Sequence, residues 1–330
     1  MKIHPPPHFC LSQLPTPIEM FHLSPAPKSK IDIFIKRDDL TGSILSGNKI
    51  RKLEFHLYDI IANKAEIVIT CGGVQSNHCR AVAAICAMTG LECHLVLKGK
   101  APKIPDGNYF LSTLMGAKTH FVTVKEYENN IAGIMDDLAR KFRESGHKAY
   151  IISEGASDSI GAWGYIKAMT EIKKQVDKAG IKIDAIAVAV GSGGTYAGLY
   201  LGAKLLKWDI DILGFSVNRS VDYFQRRIFD ICVAFEADFK KRLSINPSEI
   251  KIDDGFIGAG YGKIGPTERD FIREVARHSG IVLDPVYTSK ALLGLFNYVI
   301  DGHFKKGSKV LFIHTGGQWG LLPVRNEFVR

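Results

Sequence analysis

The chain has 330 residues, of which 46% are hydrophobic and 23% charged, so it has enough apolar surface to fold rather than stay disordered. Its 43 lysine and arginine residues exceed the 34 acidic residues and leave a net charge of +9. The basic residues form short groups without aromatic interleaving, which argues against nucleic-acid binding. No apolar run approaches the ~18 residues of a membrane span, and no signal-peptide core is visible, so we expect no membrane contact and a cytoplasmic protein.

The six cysteines indicate a reduced compartment rather than a disulfide framework. They include no CxxC pair, and no histidine lies near them at zinc-ligand spacing. Cys79 and Cys86 fall in an apolar stretch, where a free cysteine commonly serves as a small core residue. We therefore expect no metal site.

Short β-branched runs alternate with helical patterns along most of the chain. Strands are predicted over residues 31–36, 67–71, 93–97, 120–124, 150–153, 185–190, 212–217 and 309–314. Helices are predicted over residues 49–62, 77–89, 131–145, 163–179, 195–206, 267–279 and 289–301. This alternation predicts an α/β protein with parallel sheets built from βαβ units. Residues 98–108, rich in Lys, Pro and Gly, are predicted to form a surface excursion, and no linker between domains is visible.

A glycine loop, Gly191-Ser192-Gly193-Gly194-Thr195, follows one predicted strand and opens a helix. It lacks the GK[ST] of a Walker loop, and Tyr196 stands where a dinucleotide fingerprint needs its last glycine. Backbone N–H groups and two hydroxyls at a helix N-terminus suit a single phosphate monoester. The alternative is a tight turn without a ligand.

Lys49 follows a flexible Gly-Asn turn at a predicted helix start. A cation is unfavourable at a helix N-terminus, so the neutral amine required of a Schiff-base lysine is the easier form there. Taken alone, this is a weak signal, because most lysines are solvated surface groups.

Ser76, Asn77 and His78 open the helix that follows the strand at 67–71. Ser76 or Asn77 can be the N-cap of that helix, which is the common role of such residues. The N–H groups of these three residues can also bind a substrate carboxylate. The two interpretations are compatible.

Two tyrosines lie in unusual settings. Tyr261 stands between two glycines, where core packing would not require it, and Tyr287 follows Asp-Pro-Val at a helix entry. On its own, Tyr287 is interpreted as a structural residue.

Together these motifs resemble the tryptophan-synthase-β-like (fold type II) enzymes of pyridoxal phosphate, and more narrowly the family shared by 1-aminocyclopropane-1-carboxylate deaminase and D-cysteine desulfhydrase. The matching sequence motifs occur in the same order as in the family, at residues 36–42, 47–54, 75–78, 191–195, 260–262, 283–288 and 312–317. The resemblance implies two three-layer αβα domains with mainly parallel sheets. The large domain would comprise residues 1–51 and 151–330, and the small inserted domain residues 52–150. It also implies a homodimer.

The resemblance further implies a role for each candidate residue. Lys49 would bind the cofactor covalently and later move the Cα proton, and the loop Gly191–Thr195 would hold the phosphate. Asn77 would bond the phenolic oxygen, Ser76 would assist proton transfer or nucleophilic attack, and N–H groups of Ser76, Asn77 and His78 would bind the substrate carboxylate. Tyr261 and Tyr287 would flank the substrate, and Thr315 would meet the pyridine nitrogen.

Two threonines favour one chemistry within this family. The deaminases typically have a carboxylate after the tyrosine at 287 and an apolar residue at 315, whereas this chain has Thr288 and Thr315, as in the desulfhydrases. A hydroxyl partner leaves the ring nitrogen neutral and weakens the electron sink, which suits β-elimination of a good leaving group. The hypothesis is therefore D-cysteine desulfhydration, with 1-aminocyclopropane-1-carboxylate deamination as the alternative. Another amino acid such as cysteate stays open, because Trp319 departs from the family pattern and is a candidate for reshaping the pocket.

Two further classes are weaker. A catalytically inactive pyridoxal-phosphate-binding protein conflicts with the presence of Lys49, Ser76, Tyr261 and Tyr287. A nucleic-acid-binding module conflicts with the scattered basic residues.

Overall fold

The computed structural model describes residues 3–22 and 31–329. The strands are β1 (Ile18–Phe21), β2 (Asp32–Lys36), β3 (Ile67–Gly73), β4 (Glu92–Lys98), β5 (Lys118–Val122), β6 (Ala149–Ile151), β7 (Ala185–Val190), β8 (Asp211–Ser216), β9 (Lys251–Asp253) and β10 (Lys309–Ile313). The α-helices are α1 (Asn48–Ala62), α2 (Asn77–Thr89), α3 (Gly107–Leu114), α4 (Val124–Glu144), α5 (Ser159–Ala179), α6 (Gly194–Leu206), α7 (Val221–Asp238), α8 (Pro266–Ser279) and α9 (Thr288–Ile300).

These strands form two sheets. A six-stranded sheet has the order β1-β2-β10-β7-β8-β9, and a four-stranded sheet has the order β5-β4-β3-β6. All neighbouring strands pair in parallel except β1, which runs antiparallel to β2. The predicted α/β class with mainly parallel sheets is confirmed.

Helices cover both faces of each sheet, which explains the nearly continuous apolar runs of the central strands. In β7, Ile186, Val188 and Val190 pack into a core cluster with α5, α6 and α7. The alternate residues of β7 pack into a second cluster with α8 and α9. In the small sheet, β3 and β4 contribute to one cluster with α2 and to another with α4. Each sheet is therefore the middle of three layers.

Five elements depart most clearly from the predictions. The edge strands β1 and β9, only 4 and 3 residues long, and helix α7 were not predicted. Helix α3 begins at Gly107, inside the predicted surface excursion. Helix α4 begins at Val124 rather than at 131 because Thr123 and Glu126 form a capping box, and the non-helical dihedrals of Asn130 interrupt the apolar periodicity.

Helix α1 runs without a break through the predicted domain limit between residues 51 and 52. The exact domain limits therefore stay a prediction. None of the described helices combines the length and apolarity needed to cross a membrane.

Candidate active site

A cavity lies where β3, β7 and β10 end, next to the start of α1. In parallel α/β sheets, ligands bind at the carboxyl ends of strands. The structure brings most of the predicted site residues into this one wall: Lys49, Ser76, Asn77, His78, Gly191, Ser192, Gly193, Thr195, Tyr261, Tyr287 and Thr315. Gly194 lies behind the wall, where its N–H donates to Ser157 Oγ at 3.2 Å.

The start of α1 is held against the end of β10. Gly47 has φ of 101°, and a Cβ there would lie 2.6 Å from the carbonyl oxygen of Thr315, so only glycine fits. Asn48 donates its backbone N–H to the same oxygen at 3.1 Å. The side chain of Asn48 donates to Thr195 Oγ1 at 2.9 Å. These contacts fix Lys49 between the end of β10 and the glycine loop.

Burial lowers the pKa of Lys49 to about 8, although the negative charge of Glu154 acts in the opposite direction. With a pKa of about 8, about a tenth of this amine is neutral at pH 7, far more than at the ordinary pKa, and a nucleophilic amine must be neutral. The amine of Lys52, one turn further along α1, donates to the carbonyl of Gly155 and lies 3.5 Å from Ser157 Oγ. Burial and the charge of Lys49 also lower the pKa of Lys52.

The glycine loop between β7 and α6 has no room for a side chain at Gly191 or Gly194. A Cβ on Gly191 would lie 2.6 Å from a ring carbon of Tyr287, and one on Gly194 would lie 2.6 Å from Ser157 Oγ. Ser157 Oγ is in turn 2.8 Å from Ser192 Oγ. Together with the N-terminus of α6 and the nearby Lys52 amine, this loop can bind a phosphate group.

The turn between β3 and α2 combines a cap with polar groups on the cavity wall. Ser76 is the N-cap of α2, and its hydroxyl accepts the N–H of Cys79 at 3.2 Å. His78 Nε2 donates to Thr70 Oγ1 at 2.8 Å, because that hydroxyl already donates to the carbonyl of Ile152 at 2.9 Å. Burial holds the pKa of His78 well below its ordinary value, so the imidazole is neutral.

The two predicted tyrosines form a pair. The Tyr261 and Tyr287 hydroxyls lie 2.7 Å apart, and both rings line the cavity. Burial raises the pKa of Tyr261 to about 12 and raises that of Tyr287 well above its ordinary value. Lys98 Nζ lies 5.6 Å from the Tyr261 ring centroid, but the phenol stays neutral. The pair can therefore donate a hydrogen bond through the hydroxyl hydrogen that is not used between the two rings.

The two threonines occupy different places. Thr315 lines the cavity, whereas Thr288 is fully buried at the start of α9. The Thr288 hydroxyl donates to Asp284 Oδ1 at 2.7 Å and accepts the N–H of Asp284 at 2.8 Å. Asp284 also accepts backbone N–H groups at 2.7 to 3.0 Å, so this carboxylate is saturated by local donors and is not part of the wall.

Sequence reasoning missed several residues of the wall. Glu154 supplies its carboxylate, and Tyr127 donates its hydroxyl to Glu154 Oε1 at 2.8 Å. Glu154 could have been found from its position three residues after the end of β6, because polar residues that follow parallel strands commonly face ligands. Trp319 does not line the cavity; its carbonyl oxygen would instead lie 2.8 Å from a Cβ on Gly107.

A family model described as pyridoxal-phosphate dependent enzyme matches residues 11–316. The chain therefore belongs to the pyridoxal-phosphate-dependent enzymes, and its cofactor is pyridoxal phosphate. The site fits this group: Lys49 supplies a partly neutral amine, and a Cβ on Gly155 would fill the space within 2.5 Å of Ser192 Oγ and 3.4 Å of Lys49 Nζ.

Relatives narrow the family. The bifunctional D-cysteine desulfhydrase/1-aminocyclopropane-1-carboxylate deaminase, mitochondrial, of Arabidopsis thaliana is 40% identical over 95% of this chain and 79% of its own length. A putative 1-aminocyclopropane-1-carboxylate deaminase of Thermotoga maritima is 41% identical over 97% of this chain and 99% of its own. The crystal structure of a 1-aminocyclopropane-1-carboxylate (ACC) deaminase homologue superposes with a TM-score of 0.87 at 35% identity, covering 98% of this chain and 95% of its own.

The chain is thus an enzyme of the 1-aminocyclopropane-1-carboxylate deaminase and D-cysteine desulfhydrase family, with the tryptophan-synthase-β-like fold. The resemblance stated from the sequence motifs is confirmed.

Proposed function

We propose that the protein is a D-cysteine desulfhydrase, which converts D-cysteine to pyruvate, hydrogen sulfide and ammonia. The observation that carries this proposal is the hydroxyl of Thr315 on the cavity wall, combined with the saturation of Asp284 by local donors. A hydroxyl partner does not hold a pyridine nitrogen protonated, so the site suits elimination of a good leaving group.

Bound pyridoxal phosphate supplies an electron sink for the substrate Cα. In the proposal, the Lys49 amine anchors the cofactor and takes the Cα proton, because its lowered pKa leaves part of it neutral near pH 7. The loop at residues 191–195 holds the phosphate, with the Lys52 amine nearby as a hydrogen-bond donor. Asn77 orients the phenolic oxygen.

The remaining polar groups of the wall would act on the substrate. The N–H groups of Asn77 and His78 lie at the N-terminus of α2, where a carboxylate is stabilised. The Ser76 N–H, also predicted for this role, instead donates to the carbonyl of Gly73 at 3.0 Å. The Ser76 hydroxyl assists proton transfer. The neutral phenols of Tyr261 and Tyr287 flank the substrate. One phenol donates to the other, and the remaining hydroxyl hydrogen is donated to the leaving sulfur.

A substrate panel tests this proposal. The purified holoenzyme is incubated with D-cysteine, L-cysteine, D-serine, cysteate and 1-aminocyclopropane-1-carboxylate, and sulfide, pyruvate, 2-oxobutanoate and ammonia are measured. We expect sulfide and pyruvate in equal amounts from D-cysteine, and none from a Lys49→Ala control. Absence of sulfide from D-cysteine would contradict the proposal.

The second candidate is 1-aminocyclopropane-1-carboxylate deamination to 2-oxobutanoate and ammonia. The hydroxyl pair of Tyr261 and Tyr287, together with Ser76, favours it, since ring opening at a quaternary carbon needs several proton donors close together. Formation of 2-oxobutanoate faster than sulfide would favour this candidate. We also propose a homodimer, which size-exclusion chromatography with light scattering would test.

A further inference from the structure

Helix α3 lies behind the turn that carries Asn77. Its residue Asn108 is fully buried and does not line the cavity. Asn108 Nδ2 donates to the carbonyl oxygen of Gln75 at 3.1 Å and to Asn77 Oδ1 at 2.9 Å. We infer that Asn108 is a positioning residue that holds the Asn77 amide with its N–H group toward the cavity; this inference rests on the proposed placement of Asn77 beside the phenolic oxygen.

The orientation of both amides follows from one backbone carbonyl. The oxygen of Gln75 can only accept, so Asn108 must turn its NH₂ group toward it. The second hydrogen of this NH₂ then meets Asn77, whose facing atom must be the acceptor Oδ1. The Nδ2 atom of Asn77 is consequently directed away from α3, and it lies 3.0 Å from the Cβ position of Gly317, beyond the end of β10.

Asn108 itself is held firmly. Its backbone N–H donates to Gln75 Oε1 at 2.9 Å, while Gln75 Nε2 donates to the carbonyl of Asp106 at 3.0 Å. Gly107 has φ of 55°, and a Cβ there would lie 2.7 Å from Gln75 Oε1 and 2.8 Å from the carbonyl oxygen of Trp319. The start of α3 therefore cannot shift toward either neighbour.

The fixed amide has a chemical consequence. A donor aimed at an oxygen favours the ionised form of that oxygen and lowers its pKa, whereas an acceptor there has the opposite effect. The two ends of an asparagine amide are nearly identical in size, so shape alone does not select between them. Asn108 makes this selection because its NH₂ group can bond only the acceptor end of the Asn77 amide.

The test compares variants of both asparagines. Asn108→Asp presents an acceptor to Asn77 and reverses its amide, whereas Asn108→Ala leaves Asn77 free to rotate. Asn77→Ala tests the contact to the cofactor itself. Ser112→Ala is the matched control, because Ser112 is a buried polar residue of the same helix whose hydroxyl donates to the Asn108 carbonyl at 2.9 Å and has no other side-chain partner among the described residues.

Two readouts do not depend on turnover: the dissociation constant of pyridoxal phosphate from a titration of the apoprotein, and the pH titration of the visible absorbance of bound cofactor. For Asn108→Asp we expect about tenfold weaker binding, the worth of one hydrogen bond, and a higher spectral pKa. Asn108→Ala should change both in the same direction by less, and Ser112→Ala should change neither.

The outcomes distinguish the positioning role of Asn108 from the proposed placement of Asn77 beside the phenolic oxygen. If Asn77→Ala changes both readouts and the Asn108 variants change neither, or lower the spectral pKa, the inference is overturned while the placement of Asn77 stands. If Asn77→Ala changes neither readout, the proposed placement fails and the inference fails with it.

Discussion

Lys49 and Arg51 are basic residues two positions apart on α1, and their surroundings are opposite. Arg51 donates to Asp38 Oδ1 at 2.7 Å, to Asp38 Oδ2 at 2.9 Å and to Glu171 Oε2 at 2.9 Å. These carboxylates outweigh burial and raise the pKa of Arg51 above its usual range. Lys49 forms no salt bridge in the described part of the chain, and burial lowers its pKa to about 8. Partners, rather than burial alone, decide which cation stays charged.

The paired cation belongs to a larger buried network. Lys36 donates to the carbonyl of Thr16 at 2.7 Å and to Glu171 at 2.5 Å, and the Tyr165 hydroxyl donates to Asp38 at 2.6 Å. This network joins β2, α1 and α5. The Lys-Arg-Asp-Asp motif at residues 36–39 therefore has a structural role, because it holds helix α1, which carries Lys49, against β2 and α5.

The largest expected effect is on activity and comes from removing the Lys49 amine, which forms no salt bridge. Lys49→Ala and Lys49→Arg should both reduce kcat by roughly a thousandfold or more, because neither provides a neutral amine at this position. Sulfide release and the reduction of bound cofactor by borohydride measure the effect. A Lys49→Arg variant that kept its activity would contradict the role of the neutral amine.

Removal of the paired cation should affect folding instead. Arg51→Met leaves Asp38 buried without its main partner and should lower the free energy of unfolding by ~3–5 kcal/mol. Urea unfolding of the apoprotein measures this change. Lys49→Met is the matched control and should cost little, because it removes a cation without a partner; equal losses in the two variants would refute the contrast.

The lowered pKa of Lys49 predicts a pH dependence in the apoprotein. The folded pKa of about 8 lies below the ordinary value of 10.5, so between these pH values the unfolded chain binds more protons. Stability relative to Lys49→Met should therefore rise with pH in this window. The rate of cofactor capture should also rise through about pH 8, since the neutral amine is the nucleophile.

Glu154→Gln tests the cause of this pH dependence of cofactor capture. Because the charge of Glu154 raises the pKa of Lys49 against the effect of burial, its removal should move the inflection to lower pH. An unchanged inflection would show that Glu154 does not act on the amine.

The smallest expected effect concerns the neutral phenols. Tyr261→Phe and Tyr287→Phe should each lower kcat about tenfold to a hundredfold by removing one donor, with little change in stability. The wild-type pH–rate profile should show no phenol ionisation below about pH 12 from Tyr261. A basic limb that disappears in Tyr261→Phe would instead identify this phenol as a base.

Local patterns predicted much of the fold and the site. The run of β7 followed by Gly191 and a helix predicted the glycine loop, since strand ends and turn glycines are visible in short windows. Ser76 was predicted both as a cap and as a site residue, and the structure shows the cap geometry on the cavity wall. Glu154 was overlooked although it follows a predicted strand end, and Asn108 was not found because its position does not stand out in a local pattern.

The sequence alone determined the order of the elements and the motifs at their ends, because periodicity and turn chemistry act over a few residues. Only the tertiary structure decided which groups are charged. Arg51 meets Glu171 across 120 residues of chain, and the Tyr261 hydroxyl meets that of Tyr287 across 26. The protonation of Lys49 likewise depends on burial by distant segments. Such contacts set the local dielectric and the partners of each group, and no short stretch of sequence contains them.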